Sequence, residues 1–266
     1  MVDADVEDAL RDTLVEDAKR SSPSHHFHPS QITGCPLKVL LNEMTDHETT
    51  LNSWLFQGSA VHYYLQETGI LDEVFDRAGY HPVRTRYEQN IKYPLEADVW
   101  INGTCDILVE NEEERVIYDI KYSSIPVESD HPRLYKYFSQ ANTYAKMFNA
   151  DRYGLIMINS KSQNLVEDVH VIPGELSEEN WEIVTSKARA IKKGLDDAEY
   201  DAGNRWEPEW LREKRVEFWK GVTQYFNNSH IPSYSGECDY CSHSDYCPET
   251  NGMLGGVNEI IEDSRG

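Results

Sequence analysis

At 266 residues, 39% of them hydrophobic, the chain can build one sizeable core with a small appendage. Its 47 acidic against 25 basic residues give a formal net charge of -22 spread along the sequence, the pattern of a solvated surface, and one that argues against nucleic acid unless cations cluster at a site. No apolar run of about 18 residues occurs and the first residues are acidic, which excludes a membrane span or signal peptide and leaves a cytoplasmic location as the expectation.

Val6, Leu10, Leu14 and Ala18 recur at four-residue spacing, predicting a short amphipathic helix before a Ser/Pro/His linker. A second helix is expected after Thr33, with Leu37, Leu40, Leu41 and Met44 on one face. A third covers residues 54 to 67, with Trp54, Gly58, Val61 and Leu65 inward. Between 99 and 122 the pattern turns to β-branched runs either side of Asn111-Glu-Glu-Glu, a hairpin signal. A helix over 132 to 149 follows, with Leu134, Phe138, Ala141, Ala145 and Phe148 in a stripe. Then come strands over 154 to 159 and 165 to 172, a helix capped by Ser177 to about residue 200, and another opened by Pro208. This order predicts an α/β body with a mixed central sheet flanked by helices. The expected division is an acidic extension and linker over 1 to 24, a core over 25 to 230, a cysteine segment over 231 to 250 that acts with Cys35, and a tail over 251 to 266.

A four-residue turn at Asn111 to Glu114 sets Glu110 against Arg115 and therefore Asp106 opposite Asp119, with the two carboxylates roughly 5 Å apart on one face. Period-two alternation adds Lys121 to that face and sends Cys105, Ile107, Tyr118 and Ile120 into apolar packing. Facing carboxylates repel unless a cation lies between them, and a divalent ion with oxygen ligands meets that need. A solvated hairpin face accounts for the same three residues equally well. Two helical pairs shift the balance: Gly58-x3-His62, where the glycine permits close backbone approach, and Gln140-x3-Tyr144, which shares one helical edge.

In order, Gly58-x3-His62, Gly103-x2-Asp106, Asp119-Ile-Lys121 and Gln140-x3-Tyr144 resemble the PD-(D/E)XK nuclease superfamily, in its RecB-like exonuclease branch. The resemblance covers about residues 30 to 160. It implies Mg or Mn held by His62, Asp106, Asp119 and the carbonyl of Ile120, with Lys121 assisting the water nucleophile and Gln140 and Tyr144 lining the DNA path. An imidazole in an oxygen shell leads us to expect Mn to serve at least as well as Mg. Arg84, Arg86, Arg133, Lys136 and Lys146 flank this region as candidate phosphate contacts, although solvated surface is the better reading of each singly.

Cys238-x2-Cys241-x5-Cys247 is the one close cysteine cluster, and Cys35 lies far upstream. Such thiolates hold zinc, with His243 as a spare ligand, or an iron-sulfur cluster, and composition does not decide between them. One remote cysteine plus this triplet around a RecB-like core resembles CRISPR-associated RecB-like exonucleases and AddB-type helicase-nucleases. That resemblance implies a 4Fe-4S cluster on Cys35, Cys238, Cys241 and Cys247, joining distant parts of the chain. Cys105 is expected to be a buried apolar residue.

The favoured expectation is a metal-dependent single-strand DNA exonuclease, 5′ to 3′ by resemblance, in repair, recombination, replication or spacer acquisition, with protein partners in such a complex. Against it stand a catalytically silent iron-sulfur protein that binds DNA ends and a zinc-stapled scaffold unrelated to nucleic acid. The acidic surface is reconciled by a halophilic origin: in molar salt the Debye length falls to roughly 3 Å and acid-acid repulsion is screened.

Overall fold

The computed structural model describes residues 26–44, 53–79, 84–129, 131–162, 164, 168–197 and 241. The helices expected over 4 to 20 and after Pro208, and Cys238, His243 and Cys247, lie outside the described residues. The chain divides into two compact units.

In the first unit, within Glu48–Tyr93 and Asn102–Glu178, helix α3 (Ser53–Glu67) leads into α4 (Ile70–Arg77) and strand β2 (Arg84–Glu96). Gly69, at φ 71°, breaks α3 from α4. The hairpin of β3 (Val99–Glu110) and β4 (Arg115–Ser123) follows, and its turn explains its register. Asn111 Oδ1 accepts the N–H groups of Glu113 and Glu114, both at 2.8 Å, closing an Asx turn. Pairing then runs from Glu110↔Arg115 to Ile107↔Tyr118, the expected register.

Helix α5 (Pro132–Met147) opens on Pro132, with His131 Nδ1 accepting the Arg133 N–H at 3.2 Å. It joins β4 to β5 (Arg152–Asn159), which pairs parallel with β4, the crossover that a parallel pair requires. Strand β6 (Val169–Gly174) pairs antiparallel with β5. Of the strand expected over 165 to 172, residues 169 to 172 lie in β6, while 165 to 167 lie outside the described residues.

Leu71 and Phe75 of α4, with Val61 and Leu65 of α3, pack on Ile107, Val109, Val116, Tyr118, Ile120, Ile156 and Ile158. Cys105 is fully buried, as expected. Among the described residues nothing lies within 4 Å of a Cβ built at Gly58, so the close backbone approach expected there is not found among them.

In the second unit, within Ser24–His47, Pro94–Ile101 and Glu179–Gly266, β1 (His26–Phe27) pairs parallel with the start of β3 through His26↔Trp100 and Phe27↔Ile101. Helix α1 (Pro29–Ile32) is closed by a Gln31 side chain that accepts the His28 N–H at 3.0 Å, and α2 (Pro36–Met44) buries Val39 and Leu40. Helix α6 (Glu178–Asp197) lies in this unit from Glu179 onward and buries Val184, Ala188, Ile191 and Leu195 at helical spacing, while Lys187 Nζ donates to the Gly34 carbonyl at 3.2 Å. The sheet order is β1-β3-β4-β5-β6 with β2 on β3, six strands of mixed direction flanked by helices. No described helix is long and apolar enough to cross a membrane.

Candidate metal and catalytic site

The turn at Asn111 carries its register into the site. The paired ladder reaches Ile107↔Tyr118, one residue short of Asp106 and Asp119, and Asp106 Oδ2 accepts the Ile120 N–H at 2.7 Å. Helix α3 brings His62, whose Nδ1 lies 3.6 Å from Asp106 Oδ1 and whose imidazole hydrogen-bonds the Ile120 backbone. Asp119 is 1% exposed; among the described residues its Oδ1 has no hydrogen-bond partner and its Oδ2 has the Lys121 ammonium at 2.7 Å. An unmade bond on a buried carboxylate is costly, so Asp119 is held ready for a cation.

Lys121 Nζ also donates to Gln140 Oε1 at 3.2 Å and lies 5.3 Å from the Tyr137 ring centroid. Tyr144 continues the chain through a hydrogen bond with Gln140. Gln140 and Tyr144 are 9% and 5% exposed, and α5 presents both from beside its core stripe.

The titration behaviour follows from burial and crowding. Burial pushes Asp106 well above the usual carboxylate range, and the Asp119 charge adds to it. His62 is held down, chiefly by burial, which favours the neutral imidazole that serves as a ligand. Burial works against the Lys121 ammonium, but Asp119 and then Asp106 outweigh it and its pKa is raised. In the metal-free site these carboxylates favour the charged form of Lys121. Tyr144 is raised by burial first and by Asp119 and Asp106 after it, so its phenol stays protonated.

The residues fit a divalent ion. Ligand atoms of His62, Glu88 and Asp106 all lie within 4.8 Å of one another, and the orphaned Asp119 oxygen supplies a further hard donor to their surroundings. Of the residues expected from sequence, His62, Asp106, Asp119, Ile120, Lys121, Gln140 and Tyr144 are brought together. Three more belong here that the sequence reading passed over: Glu88 on β2, Gln66 one turn beyond His62, and Tyr137 one turn before Gln140. The i,i+4 spacing of His62 and Gln66 is the signal that could have found Gln66.

Among the candidate phosphate contacts, Arg86 is paired with Glu110 at 2.8 Å and Lys146 with Glu178, whereas Arg84 is exposed and Arg133 and Lys136 are half-buried. Of the four cysteines expected to hold a cluster, Cys35 and Cys241 are described; both are partly exposed and in no disulfide.

Among solved structures, that of SSO0001 covers 92% of this chain and 96% of its own at 15% identity with a TM-score of 0.53. LHK-Exo in complex with dAMP covers 65% and 88% at 10% identity and a TM-score of 0.45, and LHK-Exo itself is an alkaline exonuclease from Laribacter hongkongensis. A phage-related exonuclease from Haemophilus somnus 129PT covers 61% and 80% at 12% identity and a TM-score of 0.38. At such identities the first of these speaks for the fold alone. No curated protein matches the chain. A family model described as the PD-(D/E)XK nuclease superfamily matches residues 8–248, and on that span the chain belongs to this nuclease superfamily.

Proposed function

We propose that the chain is a divalent-cation-dependent deoxyribonuclease that degrades single-stranded DNA from an end, 5′ to 3′ by the resemblance drawn above. The observation that carries this reading is the buried Asp119 carboxylate, paired with the Lys121 ammonium through one oxygen and without a hydrogen-bond partner among the described residues for the other, on the strand next to the one that carries Asp106, whose Oδ1 lies 3.6 Å from His62 Nδ1. A purely structural hairpin gains nothing from it, because the desolvation of Asp119 is left uncompensated on one side.

His62, Asp106, Asp119 and the Ile120 carbonyl would hold Mg or Mn, which when bound supplies Lewis-acid neutralisation at the phosphate and acidifies water. The chain's own groups do the rest. His62, kept neutral by burial, offers a nitrogen lone pair. Lys121 orients the attacking water and stabilises the charge that builds in the transition state, and Gln140 and the Tyr137 ring fix its position. Gln140 and Tyr144 border the path of the DNA strand.

Cys35, Cys238, Cys241 and Cys247 are assigned to a 4Fe-4S cluster by the family resemblance drawn above; near four irons and four sulfides per chain after anaerobic purification supports this, and zinc without sulfide overturns it. The acidic surface points to high salt as the working condition. Repair, recombination, replication or spacer acquisition, with protein partners, is the proposed setting. The test compares 5′- and 3′-labelled single and double strands with Mn or Mg for wild type and Lys121→Ala. Shortening of single strands from the 5′ end by the wild type, lost in the variant, is expected. Equal activity in both proteins overturns the role of Lys121, and shortening from the 3′ end overturns the polarity.

A further inference from the structure

Helix α3 places Gln66 one turn beyond His62, on the same edge of the helix, and buries it. A buried primary amide with two N–H donors needs two acceptors. Gln66 Nε2 has them: Glu88 Oε1 at 2.7 Å and the Asp106 carbonyl at 3.2 Å. One side chain thus ties the carboxylate of β2 to the backbone of the strand that carries Asp106.

Glu88 is otherwise an unlikely residue to be fixed. It is exposed, its long side chain has rotamer freedom to lose, and its φ of 48° lies in the left-handed region, disfavoured for glutamate. A solvated glutamate would need none of this. Its carboxylate nevertheless lies with the His62 and Asp106 ligand atoms in one cluster, and the unpartnered oxygen of Asp119, nine-tenths and more buried, is the independent sign that the surroundings are short of a cation.

We infer that Glu88 is a further protein ligand of the divalent-cation site and that Gln66 is the positioning residue that holds it there. The inference rests on the metal reading of the proposed function and adds to it an acidic donor from β2. Gln66 acts through Glu88 and through the Asp106 main chain, orienting donors without touching the cation.

The test is Mn(II) binding to the full chain, read from the electron paramagnetic resonance signal of free Mn(II), for wild type, Glu88→Gln, Gln66→Leu, the double variant and Asp106→Asn. Metal-free circular dichroism melts confirm that each folds. Glu88→Gln should weaken Mn(II) by about tenfold or more, Gln66→Leu should weaken it in the same direction, and the double variant should be no weaker than Glu88→Gln alone. Affinity of Glu88→Gln within about twofold of wild type, while Asp106→Asn loses binding, overturns the inference and leaves the metal reading standing. Wild-type affinity in Asp106→Asn overturns both. Additive losses in the double variant overturn the positioning role of Gln66.

Discussion

Replacing Lys121 by methionine removes the charge that, among the described residues, pairs with Asp119, while keeping most of the side-chain volume. In the metal-free protein Asp119 then stays 1% exposed with neither oxygen hydrogen-bonded and its 2.7 Å ion pair gone. Removing one partner of a fully buried pair costs about 3–5 kcal/mol. Because the Lys121 side chain retains 16% exposure, we take the lower end, about 3 kcal/mol, as the expectation. At roughly 2–4 °C per kcal/mol for a chain of this size, the thermal midpoint in EDTA should fall by about 6–12 °C. Saturating Mn(II) places positive charge beside the same carboxylate, so the deficit should shrink. The assay is a pair of circular dichroism melts, in EDTA and in Mn(II), for both proteins. A midpoint in EDTA unchanged within about 1 °C would refute the view of Lys121 as the compensating cation of a strained site.

Asp106 gives the opposite sign. Its folded pKa is raised by burial and by Asp119, so the folded state binds a proton more tightly than the unfolded state and loses stability as pH rises from the unfolded carboxylate value through the folded one. Asp106→Asn should therefore be more stable than wild type in EDTA at pH 7 and show a flatter decline, checked by urea midpoints between pH 4.5 and 8; a less stable variant would contradict this. The Cys105 thiol, fully buried and pushed up to about 12, should resist alkylation at pH 8 in the native protein, as read by peptide mass mapping. In Gly154→Ala the new Cβ would sit 2.7 Å from the Tyr118 ring, so overpacking should cost about 1–3 kcal/mol, measured by denaturant midpoint.

The sequence made the hairpin legible because its register depends on local chemistry: the Asn111 turn pairs Glu110 with Arg115, and counting back reaches Asp106 and Asp119. Helices α3 and α5 were equally readable, since their apolar residues recur at helical spacing. Strand β2 was not, because Arg84–Glu96 carries many charged and polar residues and alternates largely between half-buried and exposed rather than between core and solvent. Helix α4 is only eight residues long, with the apolar pairs Ile70/Val74 and Leu71/Phe75 at i,i+4 spacing, and the sequence reading passed over it. Losing β2 also hid Glu88, which reaches the site through strand pairing and a left-handed backbone that no periodicity records. Gln66 and Tyr137 were hidden differently: each sits on a helix correctly expected, but its partner comes from another element.

The most direct test of the account is the release of acid-soluble nucleotides from uniformly labelled single-stranded DNA by the wild-type chain in high salt, with Mn(II) or with EDTA. Release that requires Mn(II) is the predicted result. A chain that binds Mn(II) but releases no nucleotide from single or double strands under any divalent ion would contradict the central claim.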